Sequence, residues 1–131
     1  MAKILIAEDM LTILRLFRDI LESSGHVVVG EAKNSSEAIQ SYEKFKPDIL
    51  ILDLFGMNSY SEKHKREINS FDVIEELYKK YKANIIIVTG SSRQEYIDKS
   101  MLLGAKEYFV KGEPIDLFLQ KIDNLLNYNT D

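Results

Sequence analysis

Pro47-Asp48-Ile49-Leu50-Ile51-Leu52-Asp53 is the stretch from which the fold is read. Ile49 to Leu52 is apolar without interruption, too short for a typical helix, and bounded by Lys46-Pro47 and a polar segment. A short run with no polar alternation reads as a strand buried on both faces, as in the middle of a parallel sheet. The run ends in Asp53. A carboxylate at the carboxyl end of a central parallel strand lies where open α/β sheets bind their ligands. Asp is also a common turn residue, so Asp53 alone decides nothing. The rest of the chain must bring it partners.

Toward the amino terminus, Lys3–Ala7 is a second apolar strand, and it ends in Glu8-Asp9. Ile13, Leu14, Phe17, Ile20 and Leu21 then fall at helical spacing over residues 11–24, with Gly25 placed as a left-handed cap. Val27-Val28-Val29 is a β-branched strand. Asn34 suits the cap of the next helix, with Glu37 three residues on. Ala38, Ile39, Tyr42 and Phe45 form that helix's inner face, and Pro47 stops it. Downstream, Phe71, Ile74, Leu77, Tyr78 and Tyr81 predict a helix over 71–81. Ile85–Thr89 is a strand ending in Thr89-Gly90-Ser91-Ser92, and a helix over 93–103 stops at Gly104. Tyr108-Phe109-Val110 is a short fifth strand ending at Lys111. Pro114 suits the first turn of a last helix striped by Ile115, Phe118, Leu119, Ile122, Leu125 and Leu126. Five βα units in succession predict an α/β, doubly wound parallel sheet with right-handed crossovers and helices on both faces.

Residues 54–69 do not fit this rhythm. They hold Gly56, Asn58, Ser59 and Ser61, then Glu62-Lys63-His64-Lys65-Arg66-Glu67. A structureless connection of this length is uncommon inside a compact domain, so it is either functional and mobile or part helix. Its few apolar residues predict mobility above the acidic strand ends. Lys63, Lys65 and Arg66 would then attract a phosphodonor or an acidic partner; the plainer alternative is a solvated insertion. His64, flanked by Lys and Arg, reads as solvated.

The bulk numbers narrow the classes. The chain has 131 residues, 45% of them hydrophobic and 29% charged, enough for one domain over 1–131 with its own core. A net charge of -4 argues against direct nucleic-acid binding through a basic surface. No cysteine is present, which removes disulfides and thiol chemistry and fits a reducing cytoplasm. Met1-Ala2-Lys3-Ile4-Leu5-Ile6 is too short an apolar start for a signal peptide or a membrane span. No Gly-rich dinucleotide fingerprint follows the first strand, and no helix-turn-helix follows the last helix.

The strand ends collect Glu8, Asp9, Asp53, Thr89 and Lys111 on one edge of the sheet. Three carboxylates brought together repel, and a hard divalent cation such as Mg²⁺ removes that cost. With an ammonium and a hydroxyl added, the set is suited to phosphoryl transfer onto a carboxylate. Each residue also has a plainer role. The acids suit a helix start, Thr89 a strand, Lys111 the surface and Tyr108 the core.

The sequence resembles the receiver domain of two-component response regulators, of the single-domain chemotaxis type, over nearly its whole length. The matching pieces are Lys3-Ile4-Leu5-Ile6-Ala7-Glu8-Asp9, Pro47-Asp48-Ile49-Leu50-Ile51-Leu52-Asp53-Leu54, Ile86-Ile87-Val88-Thr89-Gly90 and Gly104-Ala105-Lys106-Glu107-Tyr108-Phe109-Val110-Lys111. The resemblance implies a flavodoxin-like (βα)5 fold with strand order 2-1-3-4-5. It implies that Asp53 accepts a phosphoryl group from a sensor histidine kinase or phosphotransfer protein. Glu8, Asp9 and Asp53, with the backbone carbonyl of Phe55, would hold Mg²⁺; Thr89 and Lys111 would contact the phosphoryl group. The protein would be a phospho-acceptor that catalyses its own phosphorylation and autodephosphorylation. Its output would be a change on the face of the fourth helix, fifth strand and fifth helix, read by a downstream protein. Thr89 would move toward the phosphate, and Tyr108 would rotate inward onto a backbone carbonyl after Thr89.

Some residues depart from the family pattern. Gly112 stands where Pro, often cis, follows the lysine, so the last turn should differ. The 54–69 connection is about nine residues too long. Ser70 stands where Gly is expected, and Phe55 is bulkier than usual. Two other readings share part of the chemistry. A Mg²⁺-dependent phosphatase of the haloacid dehalogenase type also forms an aspartyl phosphate, but needs Asp-x-Asp, and Leu54-Phe55 follow Asp53. A receiver-like module that signals without phosphate would need none of the five site residues.

Overall fold

The computed structural model describes the backbone of residues 1–128 and the side chains of residues 1–127. Its elements are β1 (Lys3–Ala7), α1 (Leu11–Ser23), β2 (Val27–Ala32), α2 (Ser35–Phe45), β3 (Ile49–Leu52), β4 (Ser59–Ser61), β5 (Arg66–Ile68), α3 (Ser70–Tyr81), β6 (Ile85–Thr89), α4 (Gln94–Leu103), β7 (Glu107–Val110) and α5 (Ile115–Tyr128). The main sheet is parallel with order β2-β1-β3-β6-β7. Since β6 and β7 are the fourth and fifth strands read from the sequence, the predicted order 2-1-3-4-5 is the observed one. Among the described residues no helix is long and apolar enough to cross a membrane, and no peptide bond is cis.

All four residues of β3 are buried, as an uninterrupted apolar run requires. Alternate residues feed two cores. Leu50, Leu52, Leu5, Ile85 and Ile87 pack with α2, α3 and part of α4. Ile49, Ile51, Ile4, Ile6, Ile86 and Val88 pack with α1 and α5, where Phe17, Phe109 and Phe118 meet as a ring cluster. The register sets Ala7 beside Leu52 and Thr89 beside Val110. The residues that follow, Glu8, Asp53 and Lys111, therefore emerge at one edge.

β2 runs on to Ala32, past the apolar Val27-Val28-Val29, because its ladder to β1 continues to Ala7. An edge strand needs no continuous apolar run. Asn34 caps α2 by accepting from the Glu37 N–H, as expected. α3 begins at Ser70, one residue earlier than read, under a capping box made by Asn69 and Asp72.

Residues 54–69 are the main correction. They hold no helix and are not structureless: Ser59–Ser61 and Arg66–Ile68 pair as an antiparallel hairpin, β4 with β5. Leu54, Met57 and Ile68 are at most 2% exposed and anchor it in the α2–α3 side of the core. The Ser35 N–H donates to the Met57 carbonyl, the Ser36 N–H to Ser59 Oγ, and Ser36 Oγ to the Tyr60 carbonyl. At the tip, His64 is half-buried rather than solvated. Its Nδ1 lies 2.6 Å from Ser61 Oγ and its Nε2 bonds Glu76. Lys63 pairs with Glu76 at 3.0 Å and Arg66 with Asp72 at 3.2 Å. The hairpin lies along α2 and α3, and only Phe55 and Gly56 of this segment reach the acidic edge.

Candidate functional site

At the carboxyl edge of β1, β3, β6 and β7 a shallow depression is lined by Asp9, Met10, Asp53, Phe55, Thr89, Gly90, Ser91 and Lys111. Ladder bonds continue one step beyond the strands and aim the site residues. The Glu8 N–H donates to the Ala32 carbonyl, the Asp53 N–H to Ala7 and the Lys111 N–H to Thr89. Glu8 and Asp53 are 4% and 7% exposed, while Asp9 stands in solvent.

One carboxylate oxygen from each of Glu8, Asp9 and Asp53 lies within 4.8 Å of the other two. Lys111 Nζ bridges two of the acids, 2.7 Å from Glu8 Oε1 and 3.2 Å from Asp53 Oδ2. Glu8 Oε2 accepts the N–H groups of Asp9 and Met10. Asp53 Oδ1 has only a long contact, 3.5 Å, from the Phe55 N–H. Burial pushes the Glu8 carboxyl up to about 7, and Asp53 adds to the rise while Lys111 opposes it. Burial works against the Lys111 charge, but the hydrogen bond to Glu8 and the field of Asp53 outweigh it and raise its pKa.

One ammonium does not balance three acids. The donor set is all oxygen, partly open to water through Asp9, and short of positive charge, which suits a hard divalent cation of the Mg²⁺ kind. Glu8, Asp9 and Asp53 are placed to hold it, and the Phe55 loop lines the same depression. Asp53 lines the depression with Oδ2 on Lys111 and Oδ1 on the long Phe55 contact alone.

Three further residues support the site: the contacts of Ser70 and Gly56 escaped the sequence reading, while Gly112 makes the different last turn expected of it. Ser70, buried at the start of α3, donates its hydroxyl to the backbone carbonyl of Asp53 at 2.5 Å. Gly56 has φ of +77°, and a Cβ there would stand 2.7 Å from an Asp9 carboxylate oxygen. Gly112 has φ of +103° in a turn closed by the Glu113 N–H on the Val110 carbonyl. Proline cannot take that φ, so the departure from the usual Lys-Pro goes with a different turn rather than a damaged one. Glu113 Oε1 also accepts the Val110 N–H, fastening the turn that presents Lys111.

Thr89 is buried and lines the depression beside Asp53. Tyr108, expected to turn inward only on phosphorylation, is already inward at 9% exposure. Its hydroxyl donates to the Ser91 carbonyl at 2.7 Å, one of the carbonyls after Thr89. Burial raises the phenol's pKa, with Asp53 adding to it, so the hydroxyl keeps its proton as a donor.

Comparison with known proteins points the same way. The family described as response regulator receiver domain matches residues 4–123. The chemotaxis protein CheY of Thermotoga maritima is 31% identical over 110 residues, 83% of this chain and 84% of that protein. The CheY of Bacillus subtilis is 28% identical over 95% of this chain and 98% of its own length. Among solved structures, a two-component response regulator from Clostridium difficile superposes with a TM-score of 0.84, at 18% identity and full coverage of both chains (100% and 100%), a likeness of fold.

Proposed function

The chain belongs to the response regulator receiver domains, and on that footing we propose that its phosphorylation-dependent switch is thrown at the Asp53 carboxylate. The observation that carries this is the Lys111 ammonium bridging Glu8 and Asp53 within a cluster of three acids.

The donor is a phosphohistidine of a sensor kinase or phosphotransfer protein, or a small acyl phosphate. An Asp53 oxygen attacks phosphorus, the bond to the donor nitrogen or oxygen breaks, and the donor leaves with that electron pair. When bound, Mg²⁺ supplies positive charge against the phosphoryl oxygens. Glu8, Asp9 and Asp53 would hold the ion. Lys111 exchanges part of its contact with Asp53 for the new phosphoryl oxygens, a charge-assisted pair. Thr89 donates its hydroxyl to the same group. Hydrolysis by water at phosphorus then returns inorganic phosphate and the free carboxylate.

The output is read on the α4–β7–α5 face by a downstream protein, in the cytoplasm. With Tyr108 already inward, the phosphate acts on the segment between Thr89 and α4 rather than on the ring itself. Incubation with acetyl phosphate and Mg²⁺, followed by mass spectrometry, tests the assignment. Wild type should gain one phosphoryl group, and Asp53→Asn none. A phosphoryl group on Ser91 or another hydroxyl would sink it.

A further inference from the structure

The mouth of the acidic depression carries an aromatic pair that the acceptor chemistry does not use. The Phe55 ring, 43% exposed, meets Tyr96 edge-on, with centroids 5.0 Å apart and planes at 72°. Phe55 belongs to the loop that leaves Asp53, and its N–H is the donor facing Asp53 Oδ1. Tyr96 is in the first turn of α4. It is half-buried against the core cluster that contains Tyr108, and the Arg93 guanidinium lies 5.3 Å from its ring centroid. α4 has no side-chain cap at this end. The approach to α4 is held at Ser91 by the Tyr108 hydroxyl and, one step on, by Phe55 against Tyr96.

An edge-to-face pair is directional, so it gains and loses contact with small relative shifts of its two rings. One ring here is fixed to the acceptor loop and the other to a helix on the proposed output face. We propose that Tyr96 is a positioning residue: through Phe55 it sets the acceptor loop, and so couples occupancy of the acidic site to the placement of α4. The coupling rests on the reading of Asp53 as phospho-acceptor. It is reciprocal, so a partner that moves α4 alters the affinity of the site by the same factor. The ring of Tyr96 matters and its hydroxyl does not.

The test is NMR titration with Mg²⁺ and beryllofluoride, an acyl-phosphate mimic, of wild type, Tyr96→Phe, Tyr96→Leu, Tyr96→Ala, Phe55→Ala and the Phe55→Ala/Tyr96→Ala pair. Tyr96→Phe should bind as wild type. Tyr96→Leu and Tyr96→Ala should bind roughly two- to tenfold more weakly, the range an aromatic pair contributes. Both should shift the amide signals of residues 54–56, although neither alters an acid. The double variant should be no weaker than the weaker single one. Wild-type affinity in Tyr96→Leu, or losses that simply multiply in the double variant, would overturn the coupling while leaving Asp53 as acceptor. A wild type that binds no beryllofluoride and takes no phosphoryl group would overturn the functional reading itself.

Discussion

At the strand ends three carboxylates cluster beside one ammonium that reaches only two of them, whereas along the hairpin and α3 Glu76 and Asp72 meet bases of their own. The residue types are the same and the electrostatic outcome is opposite. Burial lifts Glu8 to about 7, with Asp53 adding to the rise. Burial also opposes ionisation of Glu76, but hydrogen bonds from Lys63 and His64 outweigh it and hold its pKa below the usual range. Asp72 follows Glu76, held down by Arg66 and its own cap bond against the effect of burial. One cluster is satisfied at rest and the other waits for positive charge. The unbalanced cluster is the one proposed to accept the phosphoryl group.

The sharpest way to break this contrast is Asp53→Asn. Phosphorylation should vanish, and the metal-free protein should gain about 1–2 kcal/mol, because Glu8 loses a like-charged neighbour. Mass spectrometry and denaturant melts read the two effects; a loss of stability would mean the acids are not in conflict.

A pH series separates the two clusters by sign. Without Mg²⁺, the folded state holds the Glu8 proton more tightly than the unfolded chain does. Stability therefore falls as pH rises from about 4.5 toward 7, by at most about 3 kcal/mol. Saturating Mg²⁺ should flatten that slope. Glu76 and Asp72 have depressed values, so their contribution is present above the unfolded carboxylate range and is lost as pH falls through their folded values. Urea melts with and without Mg²⁺ should show both limbs.

Gly56→Ala should weaken Mg²⁺ binding about tenfold, since its Cβ presses on Asp9 and an L residue strains at that φ. The hairpin's ion pairs should be untouched, and isothermal titration beside hairpin amide spectra makes the comparison.

Glu76→Ala should have the smallest effect. It leaves His64 and Lys63 without their acid, at a cost of about 1 kcal/mol. Hydrogen exchange should quicken at residues 59–68 while acetyl-phosphate kinetics stay as in wild type. Slower phosphorylation would tie the two clusters together.

How legible each region was follows from its physics. β3 announced itself because four consecutive buried residues leave no polar alternation. Once parallel order was inferred, Glu8, Asp9, Asp53, Thr89 and Lys111 had to share an edge. The hairpin was invisible because three-residue strands are too short to show a period. Its anchors, Leu54, Met57 and Ile68, stand singly among polar residues. Ser70 read as a missing glycine because its hydroxyl's partner is a backbone carbonyl 17 residues earlier. Gly56 was only one polar-loop residue among several in the sequence, since its close approach to Asp9 is a fact of the fold alone. The pose of Tyr108 is a choice between rotamers, which no spacing encodes.

The hydroxyl of Ser70 fastens the first residue of α3 to the backbone carbonyl of Asp53, the proposed acceptor. Everything between those two residues is an excursion that leaves the frame and returns to the same point. The closure entropy of such an excursion grows only slowly with its length. The tip of this one, around Glu62, Lys63 and Lys65, is exposed and remote from the acids. That tip is thus the place where evolution or an engineer can add residues or a tag, while Met57 and Ile68 keep the hairpin in the core and the carboxylate at its root stays where it is.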